Sequence, residues 1–472
     1  MANSIIEQAP LYEFLPVGQE IIYVVSNATA VATETKVKFG VEVHISSNVI
    51  NVATTTDVIG TFKTTPNNAG VGIFDLRNII ENYVKSDNMA YDGSEYKGTT
   101  TSSDDRHPIH IIDKFSQNRN VVRNMQLQFF VEYLGATDVA GNQDDNIVRR
   151  AAGTSVNSDP SVIFNGYLNY TDVLTIQNSN FGYDLTDFKI GSSSRKFLTN
   201  APNTLYANGS DYGTLSFIVE NSATYLLLSN ITFDYYDSTG SSLSTETVTT
   251  DVANGAYALW GASSIKQILH VGCYPGNRQN TSATFRGYIN AGSVAYYDVY
   301  LTGTVGQMTE KKRIYVNCPN QKGYESIRLT WLNQWGVYDY YTFTQKSIRS
   351  TSTQGSTYNQ LEGTWNEGKY RIDSYKGGKK AFRVNATERI TMNTDFVTEA
   401  DSVVFEELIN SPEVYMLKGY ENIVETTSAL NQYVIPVRLT TSSFTKKTIA
   451  NDKLMQYTFE VEKSKTLRTQ SI

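Results

Sequence analysis

The sequence predicts a mainly β protein, built as three β-sandwich-like modules with short helices covering the sheet ends. Three observations carry that expectation. Tyr is abundant, at 32 of 472 residues, while only 18% of residues are charged, a balance that suits half-buried pleated strands. Apolar and polar residues alternate at several places, most cleanly where Val37, Phe39, Val41, Val43 and Ile45 oppose Lys36, Lys38, Glu42 and His44; that period of two marks a strand with one dry and one wet face. Long helical tracts of Ala, Glu, Lys and Leu are absent. The length exceeds one ordinary domain, and the expected modules are 1–195, 196–347 and 348–472.

In the first module, strands are expected at 21–25, 36–45 and 62–65, followed by a turn at Pro66, Asn67, Asn68, Ala69 and Gly70. Asp75 is placed to cap a helix over 76–84, with Leu76, Ile79, Ile80 and Tyr83 on one face. Residues 86–117 and 137–159 read as long polar surface excursions. Between them 125–133 is a strand, and 164–176 and 181–190 are strand-like.

The second module opens at Lys196. Its strands are expected at 213–219, 225–236, 243–248, 265–271, 296–301 and 312–318, with turns at Asp237 to Gly240 and at Pro275, Gly276 and Asn277. It closes on 327–343, the densest aromatic stretch, read as a hairpin carrying Trp331, Trp335, Tyr338, Tyr340, Tyr341 and Phe343. Residues 347–357, rich in Ser and Thr, read as a linker. In the third module, 370–384 gives two strands around Gly377 and Gly378. Thr398 and Asp401 form a capping-box pattern before a helix with Phe405, Leu408 and Ile409 on its apolar face. Strands follow at 414–417, 434–440 and 455–461, and the tail from Lys463 reads as loose.

A net charge of −7 argues against a nucleic-acid partner, which needs a basic footprint to neutralise phosphates. Arg149 with Arg150, Lys311 to Arg313, and Lys379 with Lys380 read as solvated strand ends. Cys273 and Cys318 are the only cysteines; buried free thiols are the plainer expectation, and pairing stays open. The N-terminal residues lack the pattern of a signal peptide. No apolar run reaches the roughly 18 residues of a bilayer span.

Candidate chemistry is sparse. Asp104, His107 and His110 are metal-ligand types in one loop, though a solvated loop of polar residues is the plainer expectation, and no metal or cofactor is expected. Glu406 and Glu407 are adjacent on a helix, so they diverge by about 100° and do not flank one bond; a solvated face is expected. Asp395 and Glu399 carry no stronger pattern. No catalytic fingerprint for a protease, a lipase or a nucleotide-binding enzyme is present, and the four His are scattered. The aromatics of 327–343 are read as pointing both in and out. Trp335, Tyr338, Tyr340 and Tyr415 are the candidate contacts with a neighbouring subunit, Trp335 and Tyr340 as outward residues.

Three sets of residues carry a family resemblance. The first is 16–25, then Pro66 and Asn67, and Gly72 to Leu76 into Glu81 to Val84. The second is Phe197 to Pro202, Asp211 to Leu215, and Leu329 to Asn333 with Gly336 to Asp339. The third is Glu406 to Tyr415, then Ile435, Pro436 and Val437. In this order they resemble virion structural proteins of tailed bacteriophages. The resemblance implies a non-enzymatic β-sandwich structural protein of the tail or baseplate region. It would act as a hub, adaptor or distal-tail component, located in the virion. Its partners would be further copies of itself, as a homo-oligomer, and other phage tail proteins. The alternative is a receptor- or glycan-binding module of the virion, and a virion hydrolase is a third reading. The loops at 86–117 and 137–159 lie outside the matching residues.

Overall fold

The computed structural model describes residues 3–46, 58–85, 107–110, 115–116, 121–176, 183–189, 195–220, 228–249, 266–303, 306–317, 323–364, 368–418, 434–443, 445 and 455–471. It is mainly β, with 48% strand against 15% helix, arranged in several open sheets. The chain falls into two compact units. One comprises Met1–Thr199, Tyr212–Tyr315 and Asn333–Tyr338; the other comprises Asn200–Asp211, Val316–Leu332 and Asp339–Ile472.

In the first unit, a sheet of Ile5–Gln8, Ile22–Ser26 and Val71–Asp75 faces a larger one in the order Phe14–Pro16, Ser161–Phe164, Val122–Leu134, Lys38–Ser46, Val58–Thr64. Their inner faces share one core. Phe39, Val41 and Val43 are buried there, as the alternation predicts, with Tyr23, Phe74, Leu127, Phe129 and Val131. The Phe129 ring lies 5.6 Å from Tyr23 and 5.8 Å from Phe74, centroid to centroid. The second face of Lys38–Ser46 is drier than expected, because His44 is buried too. Over that face the Phe130 ring covers Gly40, leaving no room for a Cβ, and the Arg150 guanidinium sits 4.2 Å from the Phe130 ring centroid while bonding Glu42 at 2.7 Å.

The expected helix after Asp75 is short, Arg77–Ile80 running into a 3-10 turn at Glu81–Tyr83. Asp75 Oδ1 accepts from the Arg77 N–H at 3.1 Å. Leu76, Ile80 and Val84 are buried, whereas Tyr83 stays exposed.

Both polar excursions need correcting where they are described. Residues 86–106 lie outside the described residues, but Pro108 and Ile109 are buried, and Phe115–Ser116 pairs with Lys266–Gly272. Within 137–159, Val148–Arg150 and Val156–Asn157 both pair with Val122–Leu134. Two- and three-residue strands leave no periodicity to read. The strand-like run at 164–176 ends as the helix Tyr170–Ile176.

The strand-like run at 181–190 is a 3-10 turn at Thr186–Phe188 where it is described, and the remaining strands of this unit lie close to expectation. One sheet runs Ser242–Thr249, Leu228–Tyr236, Tyr296–Gly303, Lys312–Asn317, and Thr214–Glu220 pairs with Lys266–Gly272. The Pro275 turn is instead the start of the helix Pro275–Thr281, with Pro at the position where a missing N–H costs nothing. Ala283–Ala291 follows, capped by Ser282 and ended by Gly292 at φ 63°. Phe285 packs its ring on Tyr235 and Tyr297. The basic clusters of this unit are ion-paired, Arg149 with Asp138, Lys311 with Asp234, Lys312 with Glu310 and Arg313 with Asp298; Lys311 and Arg313 stay partly exposed, while Lys312 is buried.

The second unit is one large antiparallel sheet, ordered Tyr338–Phe343, Ile327–Leu332, Val414–Leu417, Val434–Leu439, Thr458–Lys463, Gly378–Asn393, Ile348–Gln360. The helix Asp401–Asn410 covers it, with Phe405 and Leu408 buried against Phe343, Phe459 and Val461. Asp401 Oδ2 accepts from the Thr398 N–H and hydroxyl, each at 2.8 Å, as the capping pattern implies. Glu407 is buried rather than solvated, and its Oε1 accepts from Asn200 Nδ2 at 2.7 Å. The tail is not loose: Arg468–Ser471 pairs with Gly378–Asn393.

Candidate functional site

Asp104 lies outside the described residues. His107 precedes the 3-10 turn Pro108–His110 and His110 ends it, with ring centroids 6.1 Å apart. His107 Nε2 is 3.3 Å from the Tyr338 hydroxyl. Burial pushes the His107 imidazole down to about 3, and the nearby His110 and His270 push the same way. His270 is fully buried on Lys266–Gly272, with Nδ1 at 2.8 Å from Ser216 Oγ, and burial likewise lowers it to about 3. Neutral imidazole is the form that binds metals. Yet among the described residues no three His, Cys, Asp or Glu are grouped to hold an ion. Sequence gave no sign that His270 lies near the loop histidines. The short pairing of Ser116 with His270 brings that loop there. Cys273 is fully buried, and Cys318 lies outside the described residues.

The aromatic hairpin forms as read, with strands Ile327–Leu332 and Tyr338–Phe343 around a turn whose Gly336 has φ 74°. The outward orientation expected for Trp335 and Tyr340 is corrected, since Trp335, Tyr338 and Tyr340 are all buried. Trp335 fills a core with Phe164, Leu168, Leu185, Phe188, Ile218 and Ile268. Its turn is fastened by Asn333 Oδ1, which accepts from the Trp335 and Val337 N–H groups at 3.0 and 3.2 Å. Tyr340 carries the Arg328 guanidinium 5.2 Å from its ring centroid. Arg328 in turn meets a closed polar group: Asp211 Oδ2 accepts from Thr342 Oγ1 at 2.6 Å and from the Asn208 N–H at 2.8 Å. Local alternation suggested two faces, but both are covered by residues distant in sequence. Tyr415, on Val414–Leu417, is half-buried and is the one of the four candidates that reaches the surface.

The surface feature that sequence reasoning missed is the expected linker. Residues 347–357 are not a linker but part of the strand Ile348–Gln360, paired antiparallel along its whole length with Gly378–Asn393. Thr and Ser are good strand residues, and here they bond across the pair, Ser352 Oγ to Thr387 Oγ1 at 2.9 Å. The ribbon carries no apolar stripe because most of it is exposed on both faces, so the usual period was invisible. Its root is held by charge. Glu388 accepts from Lys463 Nζ at 2.8 Å and from Arg349 Nη1 at 2.6 Å; the Lys463 bond foremost, with Arg349 adding, keeps its carboxyl below the usual range.

Beyond Arg383 the ribbon has two strands among the described residues, since Thr458–Lys463 pairs at 389–393 and Arg468–Ser471 at 383–386. The chain between the two strands folds back on itself, with Thr364 N–H donating to Arg371 O at 3.0 Å and Asp373 N–H to Glu362 O at 3.1 Å. Gly377 and Gly378 turn the chain at φ 90° and 70°, conformations that glycine adopts without strain. On this outer part Leu361 is 72% exposed, Tyr370 69%, Ile372 68%, Tyr375 72% and Phe382 50%. Large apolar side chains are thus concentrated in one exposed segment.

Comparison with known proteins leaves the family open. No family model matches the chain, and no curated protein matches it. Among solved structures, E. coli alpha-2-macroglobulin in its native conformation aligns over 83% of this chain and 22% of that one, at 9% identity and a TM-score of 0.15. The chain thus spans about a fifth of that protein's length, and a likeness this weak carries no argument.

Proposed function

We propose that this chain is a structural component of a phage tail, of the hub, adaptor or distal-tail kind, and that it works by symmetric assembly rather than catalysis. The observation that carries the reading is the exposed ribbon Ile348–Gln360 with Gly378–Asn393 and its apolar outer part. A two-stranded extension that buries little of its own surface is stabilised by seating on something else. The resemblance to virion proteins of tailed phages supplies the setting. The charged groups of both cores support a scaffold role, since Arg278, Arg328 and Glu407 are spent on partners within their own units.

Electron microscopy of the native particle, with antibody labelling of this chain, tests the proposal. Copies arranged symmetrically at the tail are expected, and particles without the chain would sink it. The exposed Tyr370 and Tyr375 favour one second reading, a receptor- or glycan-binding module, because exposed rings stack on sugars. A glycan array with the full chain separates the two: selective binding supports the second reading, and its absence leaves assembly.

A further inference from the structure

Charge is distributed unevenly between the ribbon and the rest of the chain. Residues 348–393 hold eight Lys or Arg and four Asp or Glu, a surplus of four positive charges. The whole chain carries −7, so the remainder carries −11. The basic surplus lies on the outer part. Lys379, Lys380 and Arg383 meet no carboxylate among the described residues, while Arg349 and Arg389 at the root bond Glu388 and Glu462. The outer part therefore joins exposed apolar rings to unneutralised cations.

The ribbon's free edge adds a second property. Ile348–Gln360 is the last strand of its sheet, and from Ser350 to Gln360 it has no Lys, Arg, Asp, Glu or Pro. Natural edge strands are usually guarded by such residues against pairing with another chain. This one is exposed, thirteen residues long and unguarded. Its outward N–H and C=O groups are available to whatever the ribbon meets.

We infer that the outer ribbon, residues 357–383, is a docking arm that seats on the acidic surface of a second copy of this chain. The inference rests on the assembly reading and names its contact. A second copy is the occupant that the charges favour, since a +3 arm and a −10 body occur in the same molecule. Such a contact is heterologous: the arm of one copy meets a different surface on the next, so repetition closes a ring or continues along an axis. Opposite charge steers the encounter and fixes its register, and the apolar rings supply the desolvated contact. Nucleic acid is the competing anionic partner for a basic segment with interleaved rings.

The test compares three full-length proteins by sedimentation over about a hundredfold range of concentration, since mass action then exposes self-association. They are the wild type, a triple charge reversal (Lys379→Glu, Lys380→Glu, Arg383→Glu), and a shortened arm with 361–377 replaced by Asn-Gly. Thermal melts check folding. The wild type should self-associate, more weakly as salt rises. The triple reversal should weaken association by about tenfold or more and lose that salt dependence, and the shortened arm should abolish it with the main melt unchanged. A wild type that associates equally well with and without the arm overturns the arm and leaves assembly standing. A monomeric wild type overturns the arm, and absence from the particle as well overturns both readings. If the wild type is monomeric but binds a single-stranded oligonucleotide, and the triple reversal does not, the arm is a nucleic-acid contact instead.

Discussion

The Trp335 indole lies 4.3 Å from the Phe188 ring, centroid to centroid, at an interplanar angle of 40°. That pair decides how the aromatic hairpin is understood. Trp335 is 1% exposed, so its ring plugs the core of its own unit and offers nothing to a neighbour. Trp335→Ala should cost about 3–5 kcal/mol of stability, read as a lowered denaturation midpoint. Trp335→Phe should cost distinctly less, because the indole N–H has no hydrogen-bond partner among the described residues. Equal losses in the two variants would contradict this account.

The turn that delivers Trp335 depends on one glycine. Gly336 has φ 74°, and a Cβ there would run into the Asn165 carbonyl. Gly336→Ala therefore meets both backbone strain and backbone contact, and a loss of about 3 kcal/mol or more is expected. Gly141, also at positive φ but with open space around it, provides the comparison. Gly141→Ala should cost only about 1 kcal/mol, from backbone strain alone. If Gly336→Ala melted with the wild type, the observed turn would be wrong.

The buried histidines make the fold acid-sensitive. His107 and His270 are each held near 3, against 6.5 for a free imidazole. Below 6.5 the unfolded chain takes up protons that the folded chain refuses. Their contribution is thus fully present above 6.5 and is lost as pH falls towards 3, at about 1.4 kcal/mol per pH unit for each group. Denaturant midpoints measured from about pH 7 to about pH 4 should fall, and His270→Asn should flatten the slope by about one proton's worth. A variant with an unchanged slope would remove His270 from the explanation.

Arg278 is a charged group built deep into the first unit. Its guanidinium bonds the Tyr235 hydroxyl at 2.9 Å and Glu246 at 2.7 Å, and lies 4.0 Å from the Phe233 ring centroid. Arg278→Met should cost about 3 kcal/mol or more, because Glu246 keeps its charge without its partner. Adding Glu246→Gln should recover part of that loss if the charge is the cause. A double variant no better than the single one would point to lost packing instead.

Sequence legibility followed one physical rule: an element could be read when its own side chains carried the signal. The alternation at Phe39, Val41 and Val43 and at Tyr457, Phe459 and Val461 gave strands with the correct face buried. Asp401 and Thr398 gave a helix start. The candidate site was mostly illegible. Its ribbon is wet on both faces, so no apolar period distinguishes it from a linker. Only pairing with Gly378–Asn393, about thirty residues away, makes Ile348–Gln360 a strand.

By itself, then, the sequence determined the mainly β class, most long strands, the aromatic hairpin and its glycine turn, because each is set by neighbours within a few residues. The tertiary structure alone decided which side of that hairpin is dry. Alternation defines two faces but does not say what covers them, and Phe188 covers one aromatic that the sequence had left outward. It likewise decided that the exposed, cationic and apolar surface belongs to residues 357–364 and 368–383 rather than to Trp335, Tyr338 or Tyr340. Exposure is a property of what long-range packing leaves uncovered.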